Sequence, residues 1–204
     1  MSQIQVAQIR TCTEAEGPGR RMAIWVQGCP LRCPACCNPE MLAFGGGETW
    51  AISELAEEAV RSAEQHGVQG VTLLGGEPFA HSGPLADFVD CVRQSLPLSV
   101  MTFTGFTLRE IRDTLDADSE RLLAATDILV DGPFDPELPD TQRRWIGSTN
   151  QEIHFLTDRY QADDPCWEES NTLEIQWQDG VLSVNGFPAP RAVGFWRRPG
   201  QQQS

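Results

Sequence analysis

"GVTLLGGEP", residues 70–78, is apolar from Val71 to Leu74 save for Thr72, then breaks into two glycines, a glutamate and a proline. A short apolar run bounded by turn residues reads as a strand buried on both faces. Its neighbours decide the fold class. Upstream, Ile52, Leu55, Ala56, Ala59, Val60 and Ala63 recur at helical spacing, with Gly67 just past the end. Downstream, Leu85, Phe88, Val89 and Val92 mark a second helix, and "LSVMTFTG" a strand ending in glycine. Leu108, Ile111 and Leu115 mark a third helix, broken near Asp118 and continued by "ERLLAATD"; "DILVDGP" is again a buried strand. Before all of these come "IQVAQI" (residues 4–9), which alternates like a half-buried strand, and the apolar "MAIWVQG" (residues 22–28). Strands alternating with helices of this length predict an α/β fold of parallel β/α units with right-handed crossovers.

In such sheets, ligand groups collect at the carboxyl ends of the strands. Those ends read "QGC", "GGEP", "TG" and "VDGP", so the unusual residues fall where a site belongs. After residue 132 the pattern loosens. "PFDPELPDTQRRW" is a proline- and acid-rich loop, "IGSTNQEIHFL" a turn and a strand, and "DRYQADDPCWEESN" an exposed connector. "TLEIQWQDGVLSV" alternates on both sides of Asp179-Gly180 and predicts a hairpin. The tail "WRRPGQQQS" is expected to fray. The expected division is a core over 1–160, with its cysteine loop at 28–38, and a C-terminal connector, β-hairpin and tail over 161–204.

Bulk properties exclude several classes of function. The formal net charge is −14, all basic residues are arginine, and there is no lysine. Net acidity argues against nucleic acid, whose phosphates require basic neutralisation. Without lysine there is neither a Schiff base to a carbonyl cofactor nor a phosphate-loop lysine. No run approaches the ~18 apolar residues of a membrane span. The N-terminus shows no charged start followed by an apolar stretch, so a cytoplasmic protein with reduced thiols is expected.

Four of the seven cysteines lie in "GCPLRCPACC", residues 28–37. Disulfides fit poorly with a reducing compartment and an odd cysteine count. Structural zinc needs four closed ligands and draws on separated pairs. No second CxxC follows, and His66, His81 and His154 are isolated. Cys36 and Cys37 are adjacent, so their side chains are expected to diverge. Cys29, Cys33 and Cys36 fit three corners of a cubane cluster, which leaves the fourth iron for an outside ligand and makes the centre reactive. A zinc knuckle remains the alternative. Cys12, Cys91 and Cys166 read as packing residues. The six tryptophans, spread along the chain, read as core or partner contacts, and Arg143-Arg144 as a solvated pair.

"GCPLRCPACCNPE" followed by "LLGGEPF", "TFTGFTLREI", "DILVDGPF" and "RRWIGSTNQ" resembles the radical S-adenosylmethionine enzymes over most of the chain. Within them it is similar to the activating enzymes of glycyl radical enzymes, the anaerobic ribonucleotide reductase activators in particular. The resemblance implies an incomplete (β/α) barrel, here with a small C-terminal β extension. It implies a [4Fe-4S] cluster on Cys29, Cys33 and Cys36, with S-adenosylmethionine chelating the open iron. Gly75, Gly76, Glu77 and Pro78 would meet its methionine part, the glycines by close backbone approach and Glu77 by accepting from the ammonium. Thr104 with Gly105, and Asp131 with Gly132, are strand ends implied to lie near the cofactor. Asn150 and Gln151 match a family-like stretch. The implied partners are a glycyl radical enzyme, or another protein or peptide substrate, and a low-potential donor of flavodoxin or ferredoxin type. Two departures stand out. Ala35 sits where many relatives carry an aromatic residue against adenine, which leaves that task to Phe103 or Phe106. Cys37 replaces the usual histidine.

Overall fold

The computed structural model describes residues 2–187 except Leu115 and Asp179. Leu115 of the expected third helix, Asp179 of the expected turn and the tail expected to fray lie outside the described residues. The strands are β1 (Gln3–Thr13), β2 (Arg21–Val26), β3 (Glu48–Ala51), β4 (Gly70–Gly75), β5 (Ser99–Phe103), β6 (Ile128–Asp131), β7 (Glu152–Phe155), β8 (Leu173–Gln178) and β9 (Val181–Gly186). The helices are α1 (Ile52–His66), α2 (Ser82–Arg93), α3 (Leu108–Thr114) and α4 (Ala117–Ala125).

Seven strands form one mixed sheet in the order β3-β1-β2-β4-β5-β6-β7. The centre, β2-β4-β5-β6, is parallel. β1 pairs antiparallel with β2 and carries β3 antiparallel on its outer side, while β7 closes the other edge antiparallel to β6. The strand pairing thus shows a mixed α/β sheet with a parallel centre, rather than a ring of parallel strands. β3, which has no apolar stripe to reveal it, joins the sheet only through β1.

Alternate residues of the central strands serve two cores. Ile24, Val71, Leu73, Val100 and Leu129 join the helical side chains Leu55, Ala59, Leu85, Phe88 and Leu122 on one face. Ala23, Trp25, Leu74 and Phe103, and next to them Met101, Ile128 and Val130, occupy the opposite inner face. With both faces covered, the strands read as apolar runs. α1 ends where Gly67 takes the left-handed conformation, φ +67, and its N–H returns to the Ala63 carbonyl. The expected break after α3 is a cap: the Asp116 carboxylate accepts from the N–H groups of Asp118 and Ser119 and starts α4.

At the amino end of the parallel strands, Arg21 is fully buried. Its guanidinium donates to Thr72 Oγ1 (2.7 Å), Ser99 Oγ (3.0 Å) and the carbonyls of Pro18, Val71 and Ser99. All of these acceptors are neutral. The group ties β2 to β4 and β5 and to the segment leading into β2.

The hairpin β8-β9 is turned inside out. Its polar side faces the body: Glu174 accepts from Glu14 N–H (2.8 Å), and Asn185 Nδ2 donates to Thr13 Oγ1 (2.9 Å). Its apolar side, with Trp177 opposite Leu182 and Ile175 opposite Val184, faces outward. Trp177 is 72% exposed. The connector before it is not merely exposed, because Tyr160, Cys166 and Trp167 pack against the inner-face core beside Trp145. No helix among the described residues is long and apolar enough to cross a membrane.

Arg21→Lys keeps the charge but offers three donors to acceptors placed for a planar fork. The variant is expected to lose about 2–4 kcal/mol of stability, read from chemical denaturation midpoints, because buried carbonyls are left unpaired.

Candidate cofactor site

The cysteine loop leaves the carboxyl end of β2 and is stapled where it departs and returns. Gly28 N–H donates to the Met41 carbonyl (2.8 Å) and Cys29 N–H to that of Leu42 (3.2 Å). Gln27, buried at the strand end, donates through Nε2 to the carbonyls of Glu40 (3.1 Å) and Ala43 (2.7 Å). Inside the loop, Arg32 (φ +55) and Ala35 (φ +53) take left-handed conformations that few residues other than glycine adopt. Cys36 N–H closes a tight turn onto the Cys33 carbonyl (3.3 Å).

Cys29 is buried, Cys33 and Cys36 are half-buried, and Cys37 is exposed. Burial pushes the Cys29 thiol up. Cys36 is drawn down to about 6, first by a hydrogen bond from the Cys37 thiol, which moves upward in exchange. Thiolates are the ligating form, and the shift at Cys36 favours it.

The donor set fits a cluster better than a single ion. Zinc bound at about 2.3 Å holds its sulfurs about 3.8 Å apart. Among the described residues, Cys29, Cys33 and Cys36 do not bring their sulfurs within 4.8 Å of one another. A cubane, whose ligands sit on separate irons, accommodates the wider spacing.

Beside this loop, β4 ends in Gly75 (φ +106), where a Cβ would lie 2.6 Å from Trp25 Cα. A Cβ on Gly76 would lie 2.3 Å from the Gly28 carbonyl oxygen. Gly76 N–H donates to Val26 O (2.8 Å), and Glu77 N–H to Gly28 O (2.9 Å). The chain's own backbone thus requires both glycines, independently of any ligand's approach. Glu77 is 1% exposed. Its Oε1 accepts from Phe79 N–H (2.9 Å) and Thr104 Oγ1 (2.8 Å), and Oε2 from Gly105 N–H (2.9 Å). Instead of offering an open acceptor to an ammonium, the carboxylate braces the end of β4 against the end of β5. Burial raises it to about 7. Pro78 is buried and opens the turn that Glu77 caps. A Cβ on Gly105 would meet Leu31 of the cysteine loop at 2.5 Å.

Cys29, Glu77, Thr104, Gly105 and the two glycines are therefore joined through a few contacts. Asp131 stands apart from them. It shares a side of β6 with Leu129 of the helix-facing core, and its Oδ2 accepts from Leu108 N–H at the start of α3. Phe106 packs on that helix-facing core, whereas Phe103 lies on the inner face, stacked on Phe187 at 6.0 Å. Asn150 Nδ2 and Gln151 Nε2 donate to the carbonyls of Pro133 (2.7 Å) and Gly132 (3.0 Å) and hold the loop after β6. Arg143 and Arg144 are not a solvated pair. Arg143 braces Asp140 and the Gln151 carbonyl, and Arg144 lies over the Trp145 ring at 4.1 Å while binding Cys166 O and Glu169.

Residues 15–154 match the family described as a 4Fe-4S single cluster domain. Over 146 residues the chain is 32% identical to the anaerobic ribonucleoside-triphosphate reductase-activating protein of Vibrio cholerae, covering 69% of this chain and 91% of that one. The chain belongs to the radical S-adenosylmethionine activating-enzyme family. The protein of the same name from Escherichia coli K12 is 30% identical over 69% of this chain and 91% of its own length. That of enterobacteria phage T4 is 27% identical over 74% and 94%. QueE from Escherichia coli overlaps at a TM-score of 0.40 and 21% identity, over 52% of this chain and about half (54%) of that one. The family match supports a 4Fe-4S cluster, and membership makes this chain an enzyme. β8 and β9 lie beyond the matched residues.

Two residues at the site escaped the sequence reading. Gln27 was signalled only as a polar residue closing an apolar run. His81 meets Phe44 in a tilted ring contact, with centroids 5.9 Å apart, and the Phe44 ring fills the space where a Gly28 Cβ would be. Burial lowers its pKa.

Gly76→Ala is expected to force the β4 end away from Gly28, so that reconstituted protein retains several-fold less iron per chain, measured by iron assay. Glu77 binds a proton more tightly folded than unfolded, so its contribution to stability falls as pH rises from about 5 to about 7 and is flat above. In Glu77→Gln one amide hydrogen opposes a backbone N–H. That variant should be about 1–3 kcal/mol less stable. Its melting temperature should also gain less on acidification from pH 8 to 6 than that of the wild type.

Proposed function

We propose that this protein reductively cleaves S-adenosylmethionine at a [4Fe-4S] cluster held by Cys29, Cys33 and Cys36, and so installs a glycyl radical on a partner enzyme such as anaerobic ribonucleotide reductase. The observation that carries this reading is a stapled loop presenting three cysteines, set directly against the Gly75-Gly76-Glu77 brace. When bound and reduced, the cluster supplies one electron to the sulfonium, giving methionine and a 5′-deoxyadenosyl radical that takes hydrogen from a glycine Cα.

The chain's own residues do the rest. Gln27 and the Gly28 and Cys29 amides fix the loop. Glu77 holds Thr104 and Gly105 at the rim, and its brace keeps the backbone beside Gly76 in place for the methionine part. Phe103, on the inner face, is the candidate platform for adenine. Ala35 leaves space before the third ligand, and Cys37 acts through its contact with Cys36. We take the sheet as an incomplete barrel, residues 161–204 as an appended segment, and a flavodoxin- or ferredoxin-type protein as the electron donor.

A second reading keeps the chemistry and changes the substrate to a peptide or small metabolite. It is favoured by the extension, since Tyr160, Cys166, Trp167 and Phe187 cover part of the inner face.

Anaerobic reconstitution with reductant and S-adenosylmethionine should give a brown protein that releases methionine and 5′-deoxyadenosine. A colourless protein holding one zinc, without cleavage, would overturn the reading in favour of a metal-binding module. Cys33→Ala should keep its circular dichroism and lose cleavage entirely; if it still cleaves, the ligand assignment is wrong. A glycyl radical signal on a reductase partner separates the first substrate class from the second.

A further inference from the structure

Asp131, Glu152 and His154 form the one group of His, Cys, Asp and Glu side chains among the described residues whose ligand atoms all lie within 4.8 Å of one another. β6 and β7 create it. Asp131 stands directly across from Glu152, and His154 lies two residues along the same side of β7. Ile153 and Phe155 turn to the inner-face core, so the three ligand residues share the opposite face with Leu129 of the helix-facing core.

Two like charges placed directly opposite each other on neighbouring strands destabilise a sheet unless something lies between them. No arginine comes within ion-pair distance of either carboxylate among the described residues. His154 Nε2 is 3.1 Å from Asp131 Oδ1 and 3.9 Å from Glu152 Oε2. Yet that nitrogen is buried and makes no hydrogen bond. Asp131 Oδ2 is held by Leu108 N–H, which fixes the carboxylate and leaves Oδ1 turned to the histidine. A ligand carboxylate oriented by a hydrogen bond on its second oxygen is how metal sites are commonly set. The Glu152 side chain, 75% exposed, is free to swing the remaining distance.

A cavity of about 560 Å³ opens at the triad, with Arg109 and Arg112 among its walls. Arg109 is 3.5 Å from Asp113, and Arg112 has no ion pair among the described residues. Three protein ligands leave coordination positions open toward that cavity, and arginines in its walls suit an anion there.

We propose that Asp131, Glu152 and His154 bind a divalent transition-metal ion, through Oδ1, a Glu152 oxygen and Nε2, with the open positions facing the cavity and suited to an anionic ligand. Two carboxylates and one imidazole suit manganese or zinc better than magnesium or calcium. Manganese is the probe of choice, since zinc would also seek the thiolates.

The experiment uses the cluster-loaded protein, titrated with Mn²⁺ and followed by the six-line electron paramagnetic resonance signal of the free ion. The wild type should take up one Mn²⁺ per chain. Glu152→Gln and His154→Gln should each weaken uptake about tenfold or more, in line with loss of one ligand, at unchanged cluster absorbance. Mn²⁺ should also raise the melting temperature of the wild type but not of Glu152→Gln. An unchanged free-ion signal with the wild type would overturn the proposal and leave an ordinary histidine–carboxylate contact. Equal uptake by wild type and both variants would overturn it as well. The wild-type titration decides the first point even where a variant folds poorly.

Discussion

A single buried carboxylate holds the carboxyl end of the sheet together. Glu77 receives two backbone amides and a hydroxyl from the turn after β4 and the end of β5, while its own amide reaches back to Gly28. Desolvation opposes burying a charge, and three donors offset it. The cysteine loop inherits its position from this brace, because Gly28 is at once the acceptor for Glu77 and the residue before Cys29. Moving Glu77 would move the loop, the glycines and Gly105 together.

The parallel centre was legible because strands covered on both faces carry uninterrupted apolar runs, and because the helical stripes of α1 and α2 are strong. The antiparallel edges were not. β3 is four half-buried or exposed residues whose only sheet contact among the described residues is with β1, and nothing in "ETWA" signals it. The cysteines announced themselves by spacing, but what holds them did not. Gln27 acts on carbonyls more than a dozen residues away, and Glu77 finds its partners on another strand. Hydrogen bonds of that range depend on register, which local pattern does not carry. The same holds for Asp131, whose side of β6 is set by the twofold alternation of the strand and whose carboxylate accepts from Leu108 N–H.

The family match ends at residue 154, and the extension lies outside it. The stretch read as an exposed connector is anchored instead, because Trp167 packs edge-on against Trp145 and Phe155 at the inner-face core. The hairpin that follows reverses the usual arrangement, since its attachment to the body is polar and its free side apolar. Alternation alone could say that one side differs from the other, but not which side meets the protein.

The buried arginine has an implication for how the two ends of the sheet respond to their surroundings. A lysine in such a place could shed its proton and remain neutral; a guanidinium cannot. Arg21 therefore places a permanent positive pole at the amino end of the parallel strands, bound directly by carbonyl and hydroxyl oxygens and attracted at longer range by the Asp127 carboxylate. At the opposite end stands Glu77, drawn up to about 7. One pole of the sheet is constant in charge across the physiological range, while the carboxylate at the other end takes up a proton within it.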